Sequence, residues 1–414
     1  MNVRLTKQEK HWVLYDVGNS AFTLLVSTIM PIYFNYLAGN AGLSDVDYLA
    51  YWGYAASVST LLVALLGPVF GTMADNKGFK KPIFIGFLAV GAIGCISLGF
   101  AKQWLLFLVL FVIAKVGYSG SLIFYDSMLA DVTEPERMDD VSSKGYAWGY
   151  IGSCIPFILC LVLVLGSDSF GLTMESAMML AFLIIAAWWV LLTLPLLKSY
   201  RQKHFVEQTP SVGQAFSRLW NTLKNARSEK KVFLFLIAFF FYIDGVYTII
   251  DMATAYGSAL GLDSTGLLLA LLVTQIVAFP FAILFGRLAQ KHSSEKLISV
   301  CIIAYFGIAV FAVFLRTQWQ FWTLAVLVGM FQGGIQALSR AYFTKIIPAE
   351  QSGEYFGLLD ICGKGAAFLG TTIVSVVSQI TGSMSTGVAM IAILFVIGFL
   401  LFRMAAKAPE TVRK

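Results

Sequence analysis

Twelve apolar runs punctuate this chain, each near the roughly 20 residues that an α-helix needs to cross a hydrocarbon layer about 30 Å thick. They begin near Trp12, Leu49, Pro82, Trp104, Gly145 and Glu175, and again near Val232, Thr265, Lys296, Trp319, Tyr355 and Thr386. Inside lipid only helices and closed barrels satisfy their own backbone polar groups, and runs of this length exceed a barrel strand. Charged residues make up 13% of the 414 and hydrophobic ones 58%, whereas a soluble domain carries about 25% charged residues. The predicted fold class is therefore all-α integral membrane, with twelve transmembrane helices.

The connections between runs are short except for one basic stretch, 198–231, which holds Pro210 and splits the chain into two sets of six. The expected organisation is an N-terminal six-helix bundle over 1–197, a cytoplasmic linker over 198–231 and a C-terminal six-helix bundle over 232–414. Of 29 Lys and Arg, Lys102 and Arg316 fall on one side and Lys115 and Lys364 inside runs, and the remainder gather on the other side. Cations mark the cytoplasmic side of short loops, so both termini are expected in the cytoplasm. This distribution also explains the net charge of +6 without a nucleic-acid partner. Cys95, Cys154, Cys160, Cys301 and Cys362 all lie in apolar runs with no CxxC spacing, as packing thiols do. Met1–Lys10 is polar and basic, and the run from Trp12 is longer than a signal-peptide core and carries Asp16, so no cleavage is expected.

The halves echo each other. Gly71-Thr-Met-Ala-Asp75-Asn-Lys-Gly78-Phe-Lys80-Lys81 closes the second run, and Gly286-Arg-Leu-Ala-Gln290-Lys-His-Ser293-Ser-Glu-Lys296 closes the eighth. Thr133-Glu-Pro135-Glu-Arg137 comes after the fourth, and Ile346-Ile-Pro348-Ala-Glu350 after the tenth. Repeated six-span halves are the layout of transporters that rock about a midplane site.

The pattern Gly71-x-x-x-Asp75-x-x-Gly78-x-Lys80-Lys81 resembles the loop motif between the second and third helices of the major facilitator superfamily. A narrower resemblance rests on two stretches. The first is Trp12-Val-Leu-Tyr15-Asp16-Val-Gly18-Asn19-Ser20-Ala-Phe22. The second runs from Phe124-Tyr125-Asp126-Ser127 through Asp131, Pro135-Glu-Arg137 and Ser142-Ser143-Lys-Gly145-Tyr146 to Gly149-Tyr150. Both are similar to the branch that holds the yeast autophagy-related vacuolar amino-acid effluxer and its bacterial relatives. The resemblance implies the major facilitator fold, a central cavity lined by runs one, four, seven and ten, and export of neutral amino acids as the first substrate. It places Asp75 against the start of the eleventh helix as part of a cytoplasmic gate with Gly71, Gly78, Lys80 and Lys81. There a carboxylate meets the positive end of a helix, and the two lysines are expected to pair with Glu136, Asp139 or Asp140. With Gln290 and Ser293 in place of the Asp and Gly, the second copy is expected to lock more weakly. A bacterial cytoplasmic membrane is the simplest setting.

Ionisable groups inside a span are costly and face a cavity or a partner. At 1.5 Å per residue Asp244 lies about 18 Å along the seventh run and Lys115 about 16 Å along the fourth, both near mid-depth. Asp251 shares the Asp244 face, and Tyr247, Thr248, Thr254 and Ser258 complete that stripe. Ser119 and Asp126 come after Lys115; Gln332, Gln336 and Arg340 form a line on the tenth run; Asp16, Asn19, Thr23 and Ser27 do so on the first. Runs one, four, seven and ten thus each carry a polar face. His11, His204 and His292 fall at span ends or in loops.

This chemistry suits a small zwitterion and a coupled proton, with Asp244 as first carrier and Asp251 as second. Lys115 either holds a substrate carboxylate or neutralises Asp244, and a permanent Asp244–Lys115 ion pair is an equal reading. Asp16 reads as a structural contact near Asp126 or a helix cap, Asp360 and Lys364 as a local i, i+4 pair, and Gln332 and Gln336 as helix bridges. Carriers of sugars, peptides or drugs, and a non-transporting membrane sensor or scaffold, remain alternatives. There is no G-x-x-x-x-G-K-[ST] loop and no His/Cys cluster, so no enzyme, cofactor or metal is expected. The expected partners are a solute, protons and the bilayer, with the monomer as the working unit.

Overall fold

A computed structural model describes residues 4–43, 45–207 and 229–409. Side chains at 45–50, 251, 254–255, 258–259, 264–265, 268 and 366–368 lie outside that description, as does most of the expected linker with Pro210. Among the described residues twelve helices are long and apolar enough to cross a membrane. They are α1 (Lys7–Asn40), α2 (Asp45–Ala74), α3 (Lys80–Leu98), α4 (Trp104–Ser127), α5 (Met138–Leu165) and α6 (Met174–Ser199). The second six are α7 (Lys230–Ala259), α8 (Ser264–Leu288), α9 (Ser294–Val313), α10 (Gln318–Ile346), α11 (Ser352–Thr381) and α12 (Met384–Lys407). The face where α1 begins and α12 ends is the termini face.

Helix starts obey local chemistry rather than hydropathy. Thr6 caps α1 in a capping box with Glu9, and Thr317 caps α10 with Gln320; each box satisfies orphan N–H groups that lipid and water would otherwise have to meet. The largest departure from the expected runs is at α5, which begins at Met138 rather than near Gly145. Its first two turns hold Asp139, Asp140, Ser142 and Ser143, all buried. They are inside the protein because helices of the other half cover them, bonding Asp139 and Ser142 and packing Gly286 on Ser143, while Asp140 pairs with Lys144 of its own helix, contacts that hydropathy does not register. The repeat is visible in structure as well: a single 3-10 turn, Pro135–Arg137, precedes α5, and another, Ala349–Gln351, precedes α11.

Two aromatic cores organise the molecule. One gathers Trp12, Phe22, Phe34, Phe107, Phe182 and Trp189 from the first six helices, the other Phe235, Tyr242, Tyr305, Phe343, Phe395 and Phe402 from the second six. The exterior is apolar: Ile93 is 64% exposed and Leu191 62%, as a lipid-facing surface requires. The halves meet along two seams, α2 with α11 and α5 with α8. Small residues bring the backbones close there. A Cβ on Gly71 would sit 2.4 Å from the Gly353 carbonyl oxygen, one on Gly357 2.8 Å from Pro68 Cα, and one on Gly286 2.7 Å from Ser143 Cβ.

Candidate functional site: the contacts that close the termini face

Arg340 of α10 occupies the centre of the molecule on the termini side, 4% exposed. Its Nη1 donates to Asp126 Oδ1 at 2.9 Å and its Nη2 to Asp16 Oδ2 at 3.2 Å. Nε donates to Ser142 Oγ at 2.8 Å, and Nη2 also reaches the Ser142 carbonyl at 3.0 Å. The guanidinium lies 4.3 Å from the centroid of the Tyr146 ring, 4.6 Å from Trp12 and 5.6 Å from Tyr125. Gly145 is glycine because a Cβ would come 2.4 Å from Asp16 Oδ2. A planar, always-charged fork suits this two-carboxylate, stacked position in a way Lys does not. Asp126 is the open edge of the group, its side chain 26% exposed. Asn19 donates to Asp16 Oδ1 at 3.5 Å. Nearer mid-depth Tyr150 donates to Gln336 Oε1 at 2.8 Å.

A second contact closes the α2–α11 seam. Asp75 Oδ1 accepts from the Gly353 N–H at 2.8 Å and Oδ2 from the Glu354 N–H at 2.9 Å. A carboxylate thus sits on the orphan N–H groups at the start of α11. Gly78 takes φ +80 in the adjoining loop. The lysines depart from expectation. Lys80 is fully buried and turns inward, 3.6 Å from Asp131 Oδ2 and 3.8 Å from Asp75 Oδ1, and donates to Ser352 Oγ at 2.8 Å. It does not meet Glu136, Asp139 or Asp140, because Asp139 and Asp140 are engaged elsewhere, Asp140 by Lys144 at 2.6 Å. No ion pair is formed by Lys81 among the described residues.

Burial pushes the Asp75 carboxyl from its ordinary 3.8 up to about 7, against the Lys80 charge and the Glu354 and Gly353 N–H groups. Burial also works against the Asp131 carboxylate, but the Lys80 charge and hydrogen bonds from His204 and Tyr200 outweigh it and its pKa is lowered. Lys80 stands nearer Asp131 than Asp75, and the two acids are driven apart. Asp131 is also the anchor of the segment after α6. It accepts from Tyr200 Oη at 2.5 Å, from the N–H groups of Lys203 and His204 at 3.0 and 2.9 Å, and pairs with His204 Nδ1 at 3.1 Å. The same segment runs along the Asp75 loop: Val206 N–H donates to the Asp75 carbonyl at 2.8 Å and Gly78 N–H to Gln202 Oε1 at 2.9 Å.

The α5–α8 seam carries the second copy with its polarity reversed. Gln290 is exposed. The carboxylate instead comes from the start of α5: Asp139 pairs with Lys345 of α10 and accepts from Ser294 Oγ at 3.0 Å. This closure is an ion pair where the other is a capped helix start. All of these ties between the halves lie between the Tyr150–Gln336 contact and the termini face. On the other side of the clasp Thr23 and Ser27 of α1 stand exposed, Thr23 bonded to Tyr118 Oη at 2.6 Å.

The remaining expected residues divide. Asp244 of α7 is fully buried, and its Oδ1 accepts from the Gly370 N–H at 3.0 Å and Thr248 Oγ1 at 3.2 Å. It is not paired with Lys115, whose Nζ lies 5.5 Å from the centre of the Phe111 ring. The helix fixes the reason: Gly370 lets α11 approach so closely that a Cβ there would lie 2.3 Å from Asp244 Oδ1. Lys364 pairs with Asp360 at 2.5 Å, the local pair expected. Gln332 is buried and lines a cleft with Ile250, Thr274, Gln275 and Val328. Tyr247 is half-buried, within electrostatic reach of Tyr146 and Tyr150. The Asp251, Thr254 and Ser258 side chains lie outside the described residues. Sequence reasoning placed Arg340 on a polar line without giving it a role, and did not single out Ser142 or Asp131. The signal for Arg340 was available: Asp16 and Asp126 are two intramembrane acids near one depth, and Arg340 is the cation at that depth.

The residues around Arg340 are those that carried the narrower resemblance, from Trp12 and Asp16 to Tyr125, Asp126, Ser142, Gly145 and Tyr146. Known families agree. Residues 6–135 and 130–408 match the family described as "Vacuole effluxer Atg22 like". The MFS-type transporter YxiO of Bacillus subtilis is 42% identical over 99% of this chain and 97% of its own. Autophagy-related protein 22 of Coccidioides immitis is 22% identical, over 85% of this chain and 72% of its own. Among solved structures FucP, the E. coli fucose:proton symporter, superposes in its outward conformation with a TM-score of 0.74 at 14% identity, over 97% of this chain and 99% of FucP. With twelve spans, a fold shared with such carriers and full-length kinship to YxiO, this chain belongs to the Atg22-like family of major facilitator transporters, multi-pass membrane carriers rather than enzymes.

Proposed function

We propose that this transporter exports small zwitterions, neutral amino acids first, across a bacterial cytoplasmic membrane by alternating access coupled to protons. The observation that carries this reading is the mixed charge of the interior. Asp16, Asp126, Asp244 and Asp360 stand there with Arg340, Lys364 and Lys115, in spans where each such group is costly. An interior that presents both signs suits a solute that carries both. The direction is supported by the Atg22-like relatives, which are described as effluxers.

With both termini in the cytoplasm, the clasp at Arg340, the Asp75 lock and the Asp139–Lys345 pair close the cytoplasmic side, and the cavity faces out. Release of all three lets the halves rock and opens the cytoplasmic side. Asp244 carries the proton: its carboxyl is fully buried, and its Oδ2 has no hydrogen-bond partner among the described residues. The two halves with their connecting linker, as a monomer, form the working unit.

A thermal-shift screen of purified protein against amino acids, dipeptides and sugars tests the substrate class, since a ligand of the folded state raises Tm with its concentration. A neutral amino acid should stabilise the wild type and fail to stabilise Lys115→Ala. Stabilisation by sugars or dipeptides alone would replace the zwitterion with that class.

A further inference from the structure

The surroundings of Arg340 are divided unequally between the halves. Trp12 and Asp16 come from α1, Tyr125 and Asp126 from α4, Ser142 and Tyr146 from α5; α10 supplies only the guanidinium. Two carboxylate oxygens at 2.9 and 3.2 Å and three aromatic faces at 4.3 to 5.6 Å surround one cation. Aromatic faces with carboxylates are the construction that takes up an organic cation. When α10 moves away, this cage stays whole on the N-terminal six helices, emptied of its charge. It then holds two acids without a partner, a state that strongly disfavours separation unless another cation enters.

We propose that this cage is the binding site for the ammonium group of the transported solute, and that Arg340 occupies it as a built-in competitor while the termini face is closed. The inference rests on the alternating-access reading and deepens it by assigning the solute's cationic end. Opening removes Arg340 and exposes the cage to the cytoplasmic side, where an amine-bearing solute neutralises Asp16 and Asp126. Closing returns Arg340, which displaces the ammonium toward the opposite face. A single cation position, used in turn by protein and solute, thereby links loading to opening and release to closure. Solutes without a cationic group do not relieve the two acids and do not load.

The experiment uses the full chain purified in detergent, with leucinamide as an ammonium probe lacking a carboxylate and 4-methylpentanoate as a carboxylate probe lacking an ammonium. Arg340→Gln removes the competitor, so leucinamide should raise its Tm at a concentration about tenfold below that needed for wild type, the factor by which the competent state was under-populated. 4-Methylpentanoate should stabilise neither protein, and Asp126→Asn added to Arg340→Gln should abolish the leucinamide response. An unchanged or raised leucinamide requirement in Arg340→Gln, or a response that survives Asp126→Asn, overturns the cage. Should Arg340→Gln not fold, Arg340→Lys, which keeps the charge but loses the bidentate grip, should shift the requirement in the same direction, and no shift overturns the proposal. Ala337 of α10 is fully buried, its carbonyl accepting from Ser142 Oγ of the other half at 2.8 Å, so thiol labelling of an Ala337→Cys reporter in the Arg340→Gln background separates the two ideas. A reporter that stays unreactive overturns the alternating-access reading, whereas labelling without a leucinamide response overturns the cage alone.

Discussion

Asp75 combines three roles at one residue: it caps α11, neighbours Lys80 and, through its main chain, holds Val206. Its carboxyl is raised to about 7 by burial, so the closed lock keeps a proton that a hydrated Asp75 would release near its ordinary value. The closed state therefore binds more protons between those values, and linkage makes acid favour closure and rising pH through about 7 favour opening. His204 acts in the same sense on the folding of the first six helices rather than on the gate, because its partner Asp131 belongs to the same half. Its pKa is raised by the hydrogen bond to Asp131, so its contribution is complete below its ordinary value and fades as pH rises through the raised one. Through Asp75, labelling of Ala337→Cys from the termini face should increase from pH 5 to pH 8. The increase should shrink in Asp75→Asn; a flat wild-type profile would count against a titrating lock. Asp75→Asn should also slow transport while leaving membrane insertion intact, as a loss of gating rather than of folding.

Helices α2 and α11 approach through glycine, and the consequence is testable at the level of the packed pair. A methyl group at Gly71 meets the Gly353 carbonyl at 2.4 Å, with backbone on the other side and nothing flexible to yield. Gly71→Ala should therefore destabilise the closed seam by about 1–3 kcal/mol, seen as a lower Tm together with faster labelling of Ala337→Cys. Gly86→Ala is the control, since a Cβ there meets nothing within 4 Å and Tm should hold or rise. The same pair shows how far the elements were legible beforehand. Twelve runs and their order can be read from apolar length, which is written locally, whereas the Asp75 contact with α11, 278 residues away, came only with the family resemblance that the loop motif carries. The first two turns of α5 were not, since polar residues there are buried by α8, α9 and α10, and hydropathy sees only the residue and its neighbours. Arg340 was hidden for a related reason: its acids lie 324 and 214 residues away. A sequence gives the depth of each charge along its own helix but not which helices share that depth at the axis. Lys80 misled for the opposite reason, its nearest acid in space being Asp131 at the end of α4 rather than the acids at the start of α5.

Taken whole, the molecule is asymmetric across the membrane. Its polar ties between halves crowd toward one face, and exposed Thr23 and Ser27 stand on the other side of them. In a background lacking the native cysteines, four of which are buried and one half-buried, Ser27→Cys should react with an impermeant thiol reagent from the face opposite the termini, and Ala337→Cys should not. The reverse pattern would mean that the resting transporter opens toward the termini. Two seams, closed by different chemistry, must release together for that exchange to occur. The segment 200–207 bears on how they do so. Because it is buckled to Asp131 and to the Asp75 loop, the connection between the halves does not begin where α6 ends. These residues are fastened to the first six helices. A displacement entering the chain at Glu207 therefore meets the Asp75 carbonyl first, through Val206, and Asp131 next, through His204 and Lys203. The two acids that Lys80 joins are thus threaded on one short stretch of chain, a drawcord sewn through the latch.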